Sequence, residues 1–430
     1  MRIKWNLYRL VGIFLLGSLL MGMNMAGVSG AVSFVRDIFV LDNMELGLVV
    51  SSIMVGCLLG VLIAWGLGES LRKEVVLLFA AIFFAVSALG SGAAQTIWHL
   101  ITARIIGGMA LGAVSFVVPT YLYQLMPASI RSFVGAIHHV GIVIGILIAY
   151  VINYAVVDMQ DAWRYMLYSP LIFAIPFFLL SVIGLSASIR SLEVKEVGKG
   201  MVMKRPIHGA GEARKVSVIQ KMYCSVPIER EHASFVGLFK GNMTRFMVVG
   251  SLLTVFHQVS GIHAMIFYAP TIFAKVGVGG DTALLQSIFL GVIYLVCSLG
   301  GVWLIDKVGS RQLLLWGEGG MMASLSYVTS AFCVDEGTGI GVFVAMLVYV
   351  AFFALFFASV VWMIISDIYP TKLRELTMFF STLICWSCTL LVVQFFPFVL
   401  ENLGGGFSFG LFLMLSVFAF VFTLIQIPKT

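Results

Sequence analysis

Charged side chains are scarce in this sequence. Asp, Glu, Lys and Arg make up 11% of its 430 residues, against about 25% in an ordinary soluble chain. That shortage excludes a water-soluble enzyme, a disordered chain and a nucleic-acid binder, because so much apolar surface cannot be hidden in a core surrounded by water. Cysteine is sparse as well, and six residues in 430 exclude a disulfide scaffold. Two of them form Cys385-Trp-Ser-Cys388, but one such pair leaves a tetrahedral metal site half empty and reads as packing. There is no Gly-rich phosphate loop and no nucleophile constellation, so no enzymatic activity, cofactor or metal is expected. What is abundant is apolar residue: 60% of the chain, with a mean hydropathy of +1.06.

A run of about 20 apolar residues crosses a bilayer as a helix. Twelve runs qualify, at 9–35, 45–66, 75–93, 98–123, 132–155, 166–186, 245–275, 283–304, 312–332, 340–366, 376–399 and 406–427. The first has the basic lead of a signal peptide, Arg2, Lys4 and Arg9, but it runs past the length of a signal core and reads as a span. With the N-terminus in the cytoplasm, all but four of the 26 basic residues fall on the cytoplasmic side, as the positive-inside rule requires. The net charge of +6 is therefore a topology signal. Only the 190–244 connection is long and polar. It separates an N-terminal six-helix bundle, 1–189, from a C-terminal one, 245–430.

The two halves echo one another. Gly60–Gly68 before the third span matches Gly301–Gly309 before the ninth, at an offset of 241. Pro127-x-x-x-Arg131 matches Pro370-x-x-x-Arg374 at 243, and Gly22-Met-Asn24 matches Gly261-Ile-His263 at 239. Three signals at nearly one offset imply two parallel repeats with a cavity between them near the midplane.

In this frame several motifs, taken together, resemble the sugar porter family of the major facilitator superfamily over about 15–430. Gly22-Met-Asn-Met-Ala-Gly-Val-Ser-Gly30 is similar to the family's first-helix G-x-D-x-x-x-x-S-G. Arg104-Ile-Ile-Gly-Gly108, Pro119-Thr-Tyr121 and Pro127 to Arg131 resemble its fourth helix and the loop after it, and Trp163-Arg164 its W-R. His257-Gln258-Val-Ser260-Gly261-Ile-His263 through Tyr268 resembles its seventh-helix Q-Q-x-S-G-x-N-x-x-x-Y-Y. Val361-Trp362 with Asp367-Ile-Tyr-Pro370 resembles its tenth helix. The resemblance implies an all-α membrane protein of twelve transmembrane helices in two pseudo-symmetric bundles. It also implies that the bundles rock around a small neutral sugar, a hexose or small disaccharide, by alternating access in the cell membrane. No motif specifies an oligomeric state.

A sugar presents hydroxyls that both donate and accept, and a ring face that is apolar. Side-chain amides, hydroxyls and aromatic rings inside a span suit it, since polar groups in hydrocarbon turn toward a cavity or another helix. The candidate substrate contacts are Asn24, His139, His257, Gln258, His263, Tyr268, Trp362 and Trp386. Helix packing is the competing reading for the aromatics. Four of seven histidines, His138, His139, His257 and His263, lie in spans five and seven. By the resemblance, His139, His257 and His263 stand where amides are usual. Three readings stay open for them: substitute sugar contacts, a pH-sensitive gate, or interhelical hydrogen bonds.

Other departures from the family are informative. Asn24 replaces the first-helix Asp that serves proton coupling in part of the family, while Arg104 is retained. An amide takes up no proton near neutral pH, so facilitated diffusion is expected. Proton linkage through the histidines and a non-transporting receptor remain as alternatives. Ile146 and Cys385 replace polar residues, and 356–359 replaces a Gly-Pro break, which predicts a stiffer tenth helix. The resemblance assigns gating salt bridges to Arg104, Arg131, Asp306, Arg311, Asp367 and Arg374. The N-terminal partners are eroded, with Trp65 for Asp and Gln124 for Glu. Fewer cross-links predict a shift toward the inward-open state.

Overall fold

The computed structural model describes residues 2–67, 72–125, 128–184, 242–275, 280–304, 307–334, 339–368 and 374–427. Most of the 190–244 connection, and with it the boundaries drawn at 189 and 190, lies outside them. The described residues contain helices and no strand. In hydrocarbon each backbone polar group must be satisfied within its own segment, and an α-helix does so.

The N-terminal half comprises α1 (Arg2–Phe39), α2 (Asn43–Leu67), α3 (Lys73–Gly92), α4 (Ile97–Leu125), α5 (Ala128–Val156), α6 (Ala162–Tyr168) and α7 (171–184). The C-terminal half comprises α8 (Asn242–Val259), α9 (Ile262–Lys275), α10 (Gly280–Leu304), α11 (Ser310–Cys333), α12 (Gly339–Phe352), α13 (Ser359–Ile368), α14 (Arg374–Asn402) and α15 (Gly404–Gln426). Eleven runs among the described residues are long and apolar enough to span a bilayer. The twelfth is α11, whose glycines, serines and buried Glu318 lower its hydropathy while it packs against α12 and α15.

Three spans are interrupted where continuous helices were expected. The sixth is split around Ser169-Pro170 into α6 and α7. The seventh is split at Ser260-Gly261 into α8 and α9. The tenth contains a π-helical turn, Phe353–Ala358, between α12 and α13. This corrects the expectation of a stiffer tenth helix. The Gly-Pro pair is absent, but a turn with i→i+5 bonding breaks the α ladder in the same place.

Within the N-terminal half, α2 and α4 touch backbone to backbone. A Cβ added at Gly56 or Gly60 would strike the carbonyl oxygen of Ile105 or Met109, and one at Gly108 or Gly112 those of Ile53 or Cys57. Small residues permit this approach, which is how helices gain packing energy where lipid offers no hydrophobic drive. The halves meet chiefly along three pairs: α2 with α14, α5 with α10, and α1 with α9.

Contacts join the halves at both ends of the bundle. At the end where α1 finishes, Arg36 lies 3.9 Å from Glu401, and Ser51 donates to Gln394 at 2.7 Å. At the end where α1 begins, Lys73 lies 3.8 Å from Glu375. There Trp65 also stacks on Phe379, with centroids 4.4 Å apart and planes at 23°. Trp65 therefore supplies an aromatic contact where the family resemblance led us to expect a charge.

Candidate functional site

The break in the seventh span builds the site. Gly261 has φ +102°, a left-handed conformation that disfavours any residue with a Cβ. A Cβ there would also meet the ring of Phe412 at 2.8 Å. The break frees backbone carbonyls, and the Tyr349 hydroxyl donates to that of Ser260 at 2.8 Å. It also turns His257 and Gln258, at the end of α8, toward His263 at the start of α9.

Gln258 is the hub, with 2% exposure. Its Nε2 donates to His257 Nδ1 at 3.1 Å and to Cys385 Sγ at 2.9 Å. Its Oε1 accepts from His263 Nε2 at 2.5 Å and from Thr389 Oγ1 at 3.2 Å. The network assigns the tautomers. His263 carries its proton on Nε2, which leaves Nδ1 as an acceptor. His257 accepts at Nδ1, which leaves Nε2–H as a donor. Both remaining nitrogens are buried and unpartnered, as is His139 Nε2.

Aromatic rings enclose these atoms. His257 stacks on Phe357 at 5.7 Å and lies 5.2 Å from Phe353 and 6.2 Å from Trp362. Phe353 continues to Tyr294 at 6.2 Å, and Tyr294 to His139 at 5.9 Å. One chain of rings thus links α5 of the N-terminal half to the Gln258 cluster of the C-terminal half. The π turn supplies its central members, Phe353 and Phe357. Trp386 on α14 crosses the halves near the middle, donating from Nε1 to Ser115 Oγ at 3.0 Å.

The structure brings His257, Gln258, His263, Trp362 and, through Tyr294, His139 into one constellation. It adds Thr389, Tyr294, Phe353 and Phe357, while Trp386 and Ser115 form a separate contact between the halves. Of these, Thr389 stands one helical turn after Cys385, a spacing readable on α14. Two expected contacts lie elsewhere. The Tyr268 hydroxyl donates to Val393 O at 2.9 Å, wedging α9 against α14. Asn24 lines a separate cavity inside the N-terminal half, with Arg104.

Two expected gating residues work within one half rather than between halves. Arg104 donates from Nε to Val49 O at 3.1 Å and from Nη2 to Val50 O at 3.2 Å, both on α2. Arg311 donates to Leu424 O at 2.8 Å and ties α11 to α15. Arg131, Asp367 and Arg374 sit on α5, α13 and α14, and Asp306 lies outside the described residues.

Comparison with known proteins agrees with this architecture. The family model "Sugar (and other) transporter" matches residues 11–430. The chain is 30% identical to the arabinose-proton symporter of Bacillus subtilis over 422 residues, covering 96% of this chain and 90% of that one. It is 32% identical to the D-xylose transporter of Levilactobacillus brevis over 409 residues, covering 92% and 86%. Among solved structures, the partially occluded inward-open xylose transporter XylE from E. coli superposes with a TM-score of 0.80. That match is at 26% identity over 98% of both chains.

Proposed function

Because the chain belongs to the sugar porter family of the major facilitator superfamily, a family of transporters and not of enzymes, we propose that it carries a neutral hexose or small disaccharide by facilitated diffusion. The observation that carries this reading is the Gln258 cluster. It is buried at the junction of the halves, with a free donor on His257, a free acceptor on His263 and a third open nitrogen on His139. Buried polar atoms without partners are destabilising, by about 1–3 kcal/mol each. A sugar hydroxyl both donates and accepts, so it satisfies either kind, while Trp362, Phe353 and Phe357 suit the apolar ring face. Of the open readings for the histidines, substitute sugar contacts fit best.

The halves, 1–189 and 245–430, rock about this site by alternating access, joined by the 190–244 connection. The end where α1 begins faces the cytoplasm, with both termini, in the cell membrane. Asn24 in place of a carboxylate leaves the N-terminal half no group to carry a proton beside Arg104.

The test is uptake of labelled neutral sugars by purified protein in proteoliposomes, with and without a pH gradient. Saturable uptake that equilibrates regardless of the gradient is expected. No flux for any sugar, in folded protein, overturns the reading. A second reading is favoured by the relatives named as proton symporters. In it the gradient drives accumulation, and His139 or His263 substitution abolishes the drive.

A further inference from the structure

Arg104 is 4% exposed inside the N-terminal half, and no carboxylate reaches it among the described residues. Its Nε and Nη2 donate to two carbonyls of α2. Among the described residues Nη1 makes no hydrogen bond. Carbonyl dipoles satisfy N–H groups but leave the positive charge uncompensated, and a cation in a span normally pairs with an anion.

The cavity beside it has polar side chains on one part of its wall. Asn24, Ser87 and Ser91 face it together with Arg104, and its remaining walls are apolar, among them Met23 and Met166. Asn24 uses one Nδ2 proton on Leu20 O at 2.9 Å and keeps the other. Among the described residues the hydroxyls of Ser87 and Ser91 make no hydrogen bond. Gly107, one turn after Arg104 on α4, lets these groups converge: a Cβ there would strike Ser87 Oγ and lie 3.7 Å from Asn24 Oδ1. The space holds roughly one water-sized particle.

We propose that this cavity binds a small monovalent anion, of the chloride class, as the counter-ion of Arg104. A guanidinium, the Asn24 amide and two serine hydroxyls line one small space, with no acidic group among them. A halide accepts from the guanidinium and the hydroxyls and supplies the negative charge that Asn24 lacks. Water fills the same space but neutralises nothing. Sulfate exceeds both the charge and the size the cavity accepts.

The proposal goes beyond the transport reading, and its test uses neither sugar nor flux, so the two fail separately. The unfolding temperature of the detergent-purified full chain is measured against chloride, with gluconate or sulfate replacing it at fixed ionic strength. Chloride and bromide are expected to raise it saturably, and gluconate and sulfate are not. Asn24→Asp places a fixed carboxylate beside the guanidinium and is expected to abolish the halide effect. If that variant does not fold, Ser87→Ala with Ser91→Ala serves instead and is expected to weaken the apparent halide affinity at least tenfold. An unfolding temperature indifferent to anion identity overturns the proposal. So does a halide effect that survives unchanged in the folded variant.

Discussion

Gln258 uses both amide ends at once, and its neighbours are arranged so that replacing it disturbs four of them. Gln258→Ala leaves His263 Nε2–H without its acceptor and His257 Nδ1 and Cys385 Sγ without their donor, while the Thr389 hydroxyl is left with the Cys385 carbonyl alone. The expected result is a fall in the specificity of sugar uptake, as kcat/KM, of about 10- to 100-fold. Initial rates over a range of sugar concentrations check it, beside the unfolding temperature. The histidines act here as neutral donor–acceptors. A proton added to His257 Nδ1 would face the N–H of Gln258 and lose that bond. Uptake is therefore expected to vary less than about twofold between about pH 6 and 8, where a titrating histidine would change its charge. Steep loss of uptake in that window, removed by His257→Gln, would refute this. These residues were legible because they occupy seven consecutive positions, 257–263. Tyr294 and Ser115 were not, since each acquires its role only when a distant helix is laid beside it, and Thr389 carried only its spacing of one turn from Cys385. Asn24 was placed with the substrate contacts by its motif, and the fold separates it from them.

At the scale of the element, the seventh span shows how a helix can be broken inside a membrane without stranding its backbone. Pro270 has no N–H, so the carbonyl of Ile266 loses its intrahelical donor. The Tyr150 hydroxyl, from α5 of the other half, donates to it at 2.8 Å. Tyr150→Phe should leave that carbonyl unpaired and loosen α9 from α5, which increases labelling of cysteines introduced along α9. Pro270→Ala restores the missing N–H, so the Tyr150→Phe effect should vanish in that background. Additive effects of the two substitutions would show that the bond does not hold α9. Gly261→Ala is harsher, because it combines a φ of +102° with a clash against Phe412. It should cost at least about 1–2 kcal/mol from the backbone alone and appear as reduced folded yield. The sequence pattern located this span but not its break. Hydropathy averages over a window and is blind to one residue's φ. The π turn escaped for the same reason, because Phe353–Ala358 is as apolar as the helix around it.

For the whole molecule, the proposed alternation between states depends on what closes each end. Twelve apolar runs and a repeat near 240 residues carried the architecture, because burial of apolar length in lipid leaves few arrangements open. Which contacts close the ends was less legible, since one chemistry had replaced another. The eroded charges at the end where α1 begins predicted a weak closure there. Yet Trp65 stacks on Phe379, and Phe116 meets the same ring edge-on at 6.2 Å. The only described ion pair between the halves at that end, Lys73 with Glu375 at 3.8 Å, is partly exposed and contributes little in salt. An aromatic stack is not screened by salt and is worth about 0.5–1.5 kcal/mol beyond its buried area. Trp65→Ala should therefore shift the equilibrium toward opening of this end by about two- to tenfold. Trp65→Phe should retain most of the closure, and raising the ionic strength should change little in either protein. Accessibility of a cysteine placed on α4 near Phe116 reads the change directly. If Trp65→Ala leaves that accessibility unaltered while high salt raises it, the closure is ionic after all and the stack on Phe379 is incidental.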